Sequence, residues 1–318
     1  MNPATVMVTG AGGFLGRAIV RSLCHQGFRV VACPSPNTAS EACDGHLVCR
    51  LRLPNPRLAR LVAAERPDWL IHCAGTSSVL SSVHDPAQDW YQNVGVTQFV
   101  YDILGEHSPQ TRVIFLSSAA VYGQPMELPV TERTPCAPIS PYGHHKLACE
   151  QLGAERRQRD GLRVTNLRIF SAYGMGLRRQ VLWDIYQKAM RSPTVVLDGD
   201  GSETRDFVHV RDVTRVIQFL LTSQGEPVEL LNVASGTSIT IARLAETFLG
   251  HLGLSRRLRF SGVLGTGVPS RWTVDTSPLQ RYGLSASVSM SEGLGEYARW
   301  LQQLGGEVYA GRTLAAAG

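Results

Sequence analysis

The sequence predicts a doubly wound α/β fold, a parallel sheet with helices on both faces, in a chain long enough for two lobes. Three observations predict it. A short β-branched run, Thr5 to Thr9, ends in Gly10-Ala11-Gly12-Gly13-Phe14-Leu15-Gly16 and passes into helical spacing, the opening of a strand–turn–helix unit. Further apolar runs then alternate with helical patterns, as parallel strands joined by crossover helices require. The chain has 318 residues, 43% of them hydrophobic and 18% charged, enough for such a sheet and a second lobe.

The first helix carries Leu15, Ile19 and Leu23 at spacings of four and closes at Gly27; Arg29 to Cys33 is the second strand. Gly10 and Gly13 allow backbone N–H groups to approach a pyrophosphate, which the helix N-terminus also attracts, and Gly16 lets that helix pack close to its strand. This predicts a dinucleotide site. An acid that grips the NAD ribose usually follows the glycines by ~20 residues. Here Pro34-Ser35-Pro36-Asn37 occupy that place, and the next strand, Leu47 to Leu53, carries Arg50 and Arg52. NAD and NADP both stay open.

Asp68 to Gly75 is a buried strand emerging onto a small-residue loop, with His72 as a core histidine; Thr76-Ser77-Ser78-Val79 follows at the C-terminal edge of the sheet, where ligands bind in such folds. Pro86 to His107 is a long helix containing Asn93. Val113 to Leu116 is a strand running into Ser117-Ser118-Ala119-Ala120-Val121-Tyr122-Gly123, which puts Ser118 at a strand end 24 residues before Tyr142.

Ser140 is a good N-cap and Pro141 suits the first helical position, so a helix starts there and ends at Gly161. Tyr142 and Lys146, at i and i+4, share one face of it. A free phenol titrates near ~10; an ammonium one turn away favours the phenolate, making the pair a general acid/base. Of 31 basic residues only Lys146 and Lys188 are lysines, which marks Lys146 as a place needing a compact ammonium. Beyond the strand Val164 to Phe170, Leu182 to Met190 reads as helix, Thr194 to Leu197 as extended and Asp198 to Gly201 as turn. Arg205 onward reads as strand with a helix starting at Asp212, Ile241 to Leu252 as a helix capped by Thr240, and the tail after Gly305 as frayed.

The formal charge of +5 is dispersed, with no Lys/Arg run of the kind that binds nucleic acid; it suits an anionic small molecule. Seven cysteines, an odd number with no C-x-x-C, favour a reducing compartment. There is no basic-then-apolar leader and no apolar run of ~18 residues. The expectation is a cytoplasmic protein with no membrane span and no metal.

Taken together, T-G-A-G-G-F-L-G at 9–16, H-C-A-G at 72–75, S-S-A-A-V-Y-G at 117–123, P-Y-G-H-H-K at 141–146 and G-D-G-S-E-T-R-D-F-V-H-V at 199–210 resemble an extended short-chain dehydrogenase/reductase of the sugar-nucleotide epimerase/dehydratase group. The resemblance spans residues 5 to 300. It implies a Rossmann NAD(P)-binding domain over residues 1–170, to which 205–235 return. It also implies a smaller domain over 171–204 and 236–318 that binds a nucleotide diphosphate-sugar. It assigns catalysis to Ser118, Tyr142 and Lys146. The cofactor falls to Gly10, Gly13, Phe14, Leu15, Ala74, Asn93, Tyr142 and Lys146, and the substrate to Ser78, Ser118, Arg205 and Arg271. It further implies a homodimer formed through the helices after Pro86 and Pro141. The family's usual Asn after the strand ending at Phe170 is replaced by Ser171, which puts that contact in doubt.

Dehydratases of this group need an extra acid and base after the catalytic Ser/Thr, whereas Ala119 and Ala120 move no protons. Two reactions are left. The favoured one is 4-epimerisation through a transient 4-keto sugar, with NAD as its cofactor; the other is reduction of a 4-keto sugar nucleotide by NADPH. A dinucleotide-binding sensor without catalysis is the third reading, and retention of all three catalytic positions argues against it.

Overall fold

The computed structural model describes residues 3–37, 47–225, 227–265, 267 and 269–315, with side chains to residue 304. The first half of the chain alternates as the sequence predicts: β1 (Thr5–Thr9), α1 (Phe14–His25), β2 (Arg29–Cys33), β3 (Leu47–Val48), α2 (Arg57–Glu65) and β4 (Trp69–His72). There follow α3 (Val79–His84), α4 (Pro86–Trp90), α5 (Val96–His107), β5 (Arg112–Ser118), α6 (Pro141–Asp160) and β6 (Val164–Ile169). The second half holds β7 (Ser171–Tyr173), α7 (Gln180–Arg191), β8 (Thr194–Leu197), β9 (Thr204–His209), α8 (Val210–Thr222) and β10 (Leu230–Val233). It ends with β11 (Ser238–Thr240), α9 (Ile241–His251), β12 (Arg257–Phe260), α10 (Ser277–Arg281) and α11 (Met290–Ala315).

Seven strands form one sheet in the order β10-β6-β5-β4-β1-β2-β3, every neighbouring pair parallel. Alternation along each strand splits the side chains between two faces. Val6 and Val8 of β1 join Ile19 and Leu23 of α1 and Val213, Ile217 and Leu220 of α8 on one side. Met7, with Leu70 and Val113, meets Leu58, Val62, Val100, Leu104 and Cys149 on the other. Because both faces are covered, the central strands are apolar nearly throughout.

The remaining strands lie outside that sheet. β11, β9 and β7 form a three-stranded sheet, and β12 pairs with β8. α7, α9 and α11 close a separate core that includes Leu182, Ile185, Phe248, Leu294, Tyr297 and Leu301.

Four local departures from the sequence reading have physical causes. Pairing in the third strand stops at Val48, and Cys49 and Leu51 bond only one way, to Ala32 O and Pro34 O; Pro34 has no N–H to return. The helix from Pro86 is interrupted by a π turn at Tyr91–Gly95. α8 begins at Val210, not Asp212, because the His209 side chain accepts from Arg211 N and caps it. Helix α11 runs to Ala315, past the tail expected to fray; Leu294, Tyr297, Ala298 and Leu301, one buried stripe, anchor it. Among the described residues, no helix is long and apolar enough to cross a membrane.

Candidate active site

A cleft of about 1400 Å³ runs along the C-terminal ends of the central strands and over to the smaller layer. That exceeds the ~300–1,000 Å³ of a single small-ligand pocket and leaves room for two bound molecules side by side. β1 ends there in the glycine turn, β2 in Cys33 and Ser35, β4 in Cys73 to Ser78, β5 in Ser117 and Ser118, and β6 in Ile169 and Phe170. The strand order reverses direction at β1, between β2 and β4, which is where ligands enter open parallel sheets.

The glycine turn is shaped for close approach. Gly10 has φ +65°, and a Cβ there would stand 2.6 Å from Ala74 N. Gly16 presses against Gly10 O, whereas a Cβ on Gly13 would meet only Gly10 O, at 3.3 Å. Helix α1 has no side-chain cap and no acid in its first turn. Its leading amides, at Phe14 and Leu15, border the cleft and are suited to an anion.

Opposite lies the start of α6. Ser140 Oγ accepts from Gly143 N at 3.1 Å, and Pro141 occupies the first helical position. A Cβ on Gly143 would come within 2.6 Å of Ala120 O, so the bare glycine lets α6 lie against the turn after β5. This juxtaposition brings Ser118, Tyr142 and Lys146 to the same cleft. Tyr142 is 7% and Lys146 6% exposed. Lys146 Nζ donates to Leu116 O at 2.9 Å and stands 4.7 Å from the Phe115 ring centre and 6.0 Å from that of Tyr142. One ammonium proton is thus anchored, and the others are free to serve a ligand. Ser118 Oγ accepts from Ala120 N at 3.2 Å, which fixes its rotamer and leaves its own proton to donate.

Two buried polar networks support this wall, and neither was picked out from the sequence. One turn beyond Lys146, Glu150 receives Ser117 Oγ at 2.5 Å and Arg168 Nη2 at 2.7 Å; both ionic partners are 7% exposed. The Arg168 guanidinium lies 4.8 Å over the Tyr122 ring, whose hydroxyl donates to Asn232 Oδ1 at 2.7 Å. In the second, His145 Nδ1 is 2.6 Å from Asp89 Oδ2, Thr76 donates to Asp89 Oδ1, and Asn93 Nδ2 donates to Thr76 Oγ1 at 2.7 Å. These bonds tie the loop after β4 to α4 and α6.

The predicted residues divide accordingly. Gly10, Gly13, Phe14, Leu15, Ala74, Ser78, Ser118, Tyr142, Lys146 and Arg205 all line the cleft, as does Ser171. Asn93, 1% exposed, is absent from its wall and braces the loop from behind. Arg271 is exposed and is not among the residues that line the cleft. Ser78 Oγ accepts from Ser81 N at 3.1 Å as the cap of α3. Arg205 donates to the carbonyls of Thr204, Ser270 and Pro269 and stands 5.6 Å over Trp272; burial pulls its pKa down to about 10. His72 is a core residue as expected, bonded to Thr9 and Thr97; burial first, then the Lys146 charge, pushes its pKa down to about 3. Arg179, on the lip of the same cleft, drew no notice in the sequence because nothing in its neighbourhood forms a motif.

The sequence model of the NAD dependent epimerase/dehydratase family matches residues 6–234. The chain belongs to the NAD dependent epimerase/dehydratase family. UDP-glucose 4-epimerase 2 of Oryza sativa subsp. japonica is 28% identical over 280 residues, covering 77% of this chain and 68% of its own. A putative UDP-glucose 4-epimerase of Methanocaldococcus jannaschii is 25% identical over 93% of this chain and 98% of its own. Among solved structures, MoeE5 in complex with UDP-glucuronic acid and NAD superposes with a TM-score of 0.86 at 27% identity, over 94% of this chain and 99% of that one. The UDP-N-acetylglucosamine 4-epimerase of Methanobrevibacter ruminantium M1 shares the fold, with a TM-score of 0.85 at 24% identity and coverage of 96% and 100%.

The dinucleotide that names this family fits the residues present. The glycine cradle at 10–13 is open where a pyrophosphate must approach, and the uncapped start of α1 offers it amide donors.

Proposed function

We propose that this family member is an NAD-dependent nucleotide-sugar 4-epimerase that works through a transient 4-keto sugar. The observation that carries the reading is the convergence of Ser118, Tyr142 and Lys146 on one cleft with the glycine turn, and of no further proton-transfer side chain at Ala119 and Ala120. When bound, the nicotinamide would supply the hydride acceptor and donor. In this scheme Tyr142, as phenolate, takes the proton from the sugar O4 while C4 loses hydride. Lys146 would stabilise that phenolate by its charge, and its remaining donors would serve the nicotinamide ribose. Ser118 hydrogen-bonds O4 and holds it in line. Epimerisation would then require the ketone to turn its other face to the cofactor, and Tyr142 would return its proton to O4. Electrons balance within the cycle, so no external reductant enters.

Gly10, Gly13, Phe14, Leu15 and Ala74 are assigned to NAD, and Ser78 and Arg205 to the nucleotide diphosphate-sugar. Residues 1–170 and 205–235 are assigned to the cofactor half, although β9, at the start of the second stretch, pairs with β7 and β11 outside the central sheet; 171–204 and 236–318 are assigned to the substrate half. The same reading pairs two copies through the helices beginning at Pro86 and Pro141, where Trp90 is 46% exposed, in a reducing cytoplasm.

The test is incubation of purified protein with UDP-glucose, UDP-galactose, their N-acetyl forms and the corresponding uronates, with no cofactor added. Formation of the C4 epimer, with NAD released on denaturation, is the expected result. Stoichiometric oxidation of added NADPH by a 4-keto-6-deoxy sugar nucleotide, without any epimer, overturns it in favour of reduction.

A further inference from the structure

We infer that Thr76, Ser82, Asp89 and His145 are positioning residues that hold the start of α6, with Tyr142 on it, and the loop after β4 as one rigid unit. The inference rests on the epimerase reading, in which Tyr142 carries the proton, and names what fixes that residue in place.

The leading amides of a helix have no partner within it. In α6, Pro141 has none to satisfy, and Gly143 N donates to Ser140 Oγ. Tyr142 N is left over, and it donates at 3.1 Å to Ser82 Oγ, 60 residues away on α3. Ser82 is fully buried, and its hydroxyl donates to Val79 O at 2.7 Å. That bond orients the oxygen to accept from Tyr142. Helix α3 begins at its cap Ser78, on the border of the cleft.

A second tie lies three residues further along α6. His145 Nδ1 is 2.6 Å from Asp89 Oδ2, and the other carboxylate oxygen accepts from Thr76 Oγ1, a cleft residue. The Asp89 side chain is 3% exposed, and among the described residues His145 is its one ion-pairing partner. A carboxylate so buried keeps its partners, because stranding it is costly. One tie would leave the helix end free to pivot; two, at residues 142 and 145, stop rotation as well as sliding. Ser82, Asp89 and His145 are not among the residues that line the cleft. They therefore act through Tyr142 and the loop, and not on a ligand. Proton transfer needs that restraint, since a misplacement of about 1 Å can cost on the order of 100-fold in rate.

The experiment uses Thr76→Val, which keeps the shape and removes the hydroxyl, together with His145→Gln, their combination and Thr76→Ser. Turnover of the UDP-sugar that the wild type epimerises is expressed per chain retaining NAD, the nucleotide being counted after denaturation. Each of the first two lowers kcat by about 10- to 100-fold while KM stays within about threefold. The double variant is no worse than the poorer single one, because the chain of bonds is already broken, and Thr76→Ser recovers most of the rate. Hydrogen–deuterium exchange rises together over residues 76–82 and 142–146, with the far end of α6 unchanged. Unaltered kcat per loaded site in both single variants overturns the inference, as do losses that multiply in the double variant. Exchange that rises along the whole of α6 also overturns it, since the bonds would then merely stabilise the helix. Should the wild type epimerise no sugar nucleotide, the epimerase reading fails separately and exchange still decides the clamp: a rise confined to one of the two stretches rejects it.

Discussion

At the scale of single residues, the site depends on what α6 does to one hydroxyl. Tyr142 is almost fully enclosed, with Lys146 one turn behind it and Ser118 across the turn after β5. Replacing Tyr142 by Phe keeps the ring and its packing but removes the proposed proton carrier. The expected result is a fall in kcat of about 10²- to 10⁴-fold, with NAD still retained after gel filtration and the circular dichroism spectrum unchanged. Unaltered turnover would show that another group moves the proton. These three residues were legible in the sequence because each stands in a local pattern whose geometry is set by the helix or strand that carries it. Arg271 stands in no such pattern, because an arginine in a loop takes its place from tertiary packing; it is exposed and outside the lining of the cleft. A buried amide on a helix, such as Asn93, can face a ligand or a loop, and here its Nδ2 donates to Thr76 in the loop after β4.

At the scale of elements, α6 must be held in register as well as capped. Its ends were readable from Ser140, Pro141 and Gly161, the last in a left-handed conformation at φ +71°. What pins its middle was not readable, because Glu150 and Arg168 lie on different elements and meet only after β5 and β6 pair. Removing one partner of a buried pair leaves the other charge stranded, at a cost of about 3–5 kcal/mol. Glu150→Ala is therefore expected to lower unfolding stability by that amount, read from urea denaturation, and to impair catalysis by loosening Ser117 and its neighbour Ser118. A loss below about 1 kcal/mol, the ordinary value for exposed pairs, would contradict the buried geometry. The glycine turn and α1 were the most legible elements, since strand, turn and helix are contiguous. The interruption of the helix from Pro86 by a π turn was invisible, because a single Gly95 inside an otherwise helical pattern does not mark such an insertion; Asn93 and Thr97, in and just after that turn, are bonded to the loop and to β4.

At the scale of the whole molecule, the seven-stranded sheet and the presence of a second layer follow from alternation and length, but its strand partners do not. β9 reads as a plain strand from sequence, and only the fold sends it to β7 and β11 in place of the central sheet. The proposed pairing of two copies belongs to this scale also. Sedimentation equilibrium is expected to give twice the 34.7 kDa chain mass, and Trp90→Glu, a charge placed on the face of the helix from Pro86, is expected to shift the distribution toward monomer. A monomer at micromolar concentration would discard that arrangement.

The route of the chain between its two cores has a practical consequence. It leaves the large sheet after β6, lends β7, β8 and β9 to the smaller layer, returns with α8 and β10, and departs again at β11. No one contiguous stretch can be excised as an independent module. A protease that nicks a surface loop should leave fragments that co-migrate on a native gel and part only in detergent. Anyone grafting a different small layer onto this scaffold would have to transplant more than one segment and keep the returning strand in place.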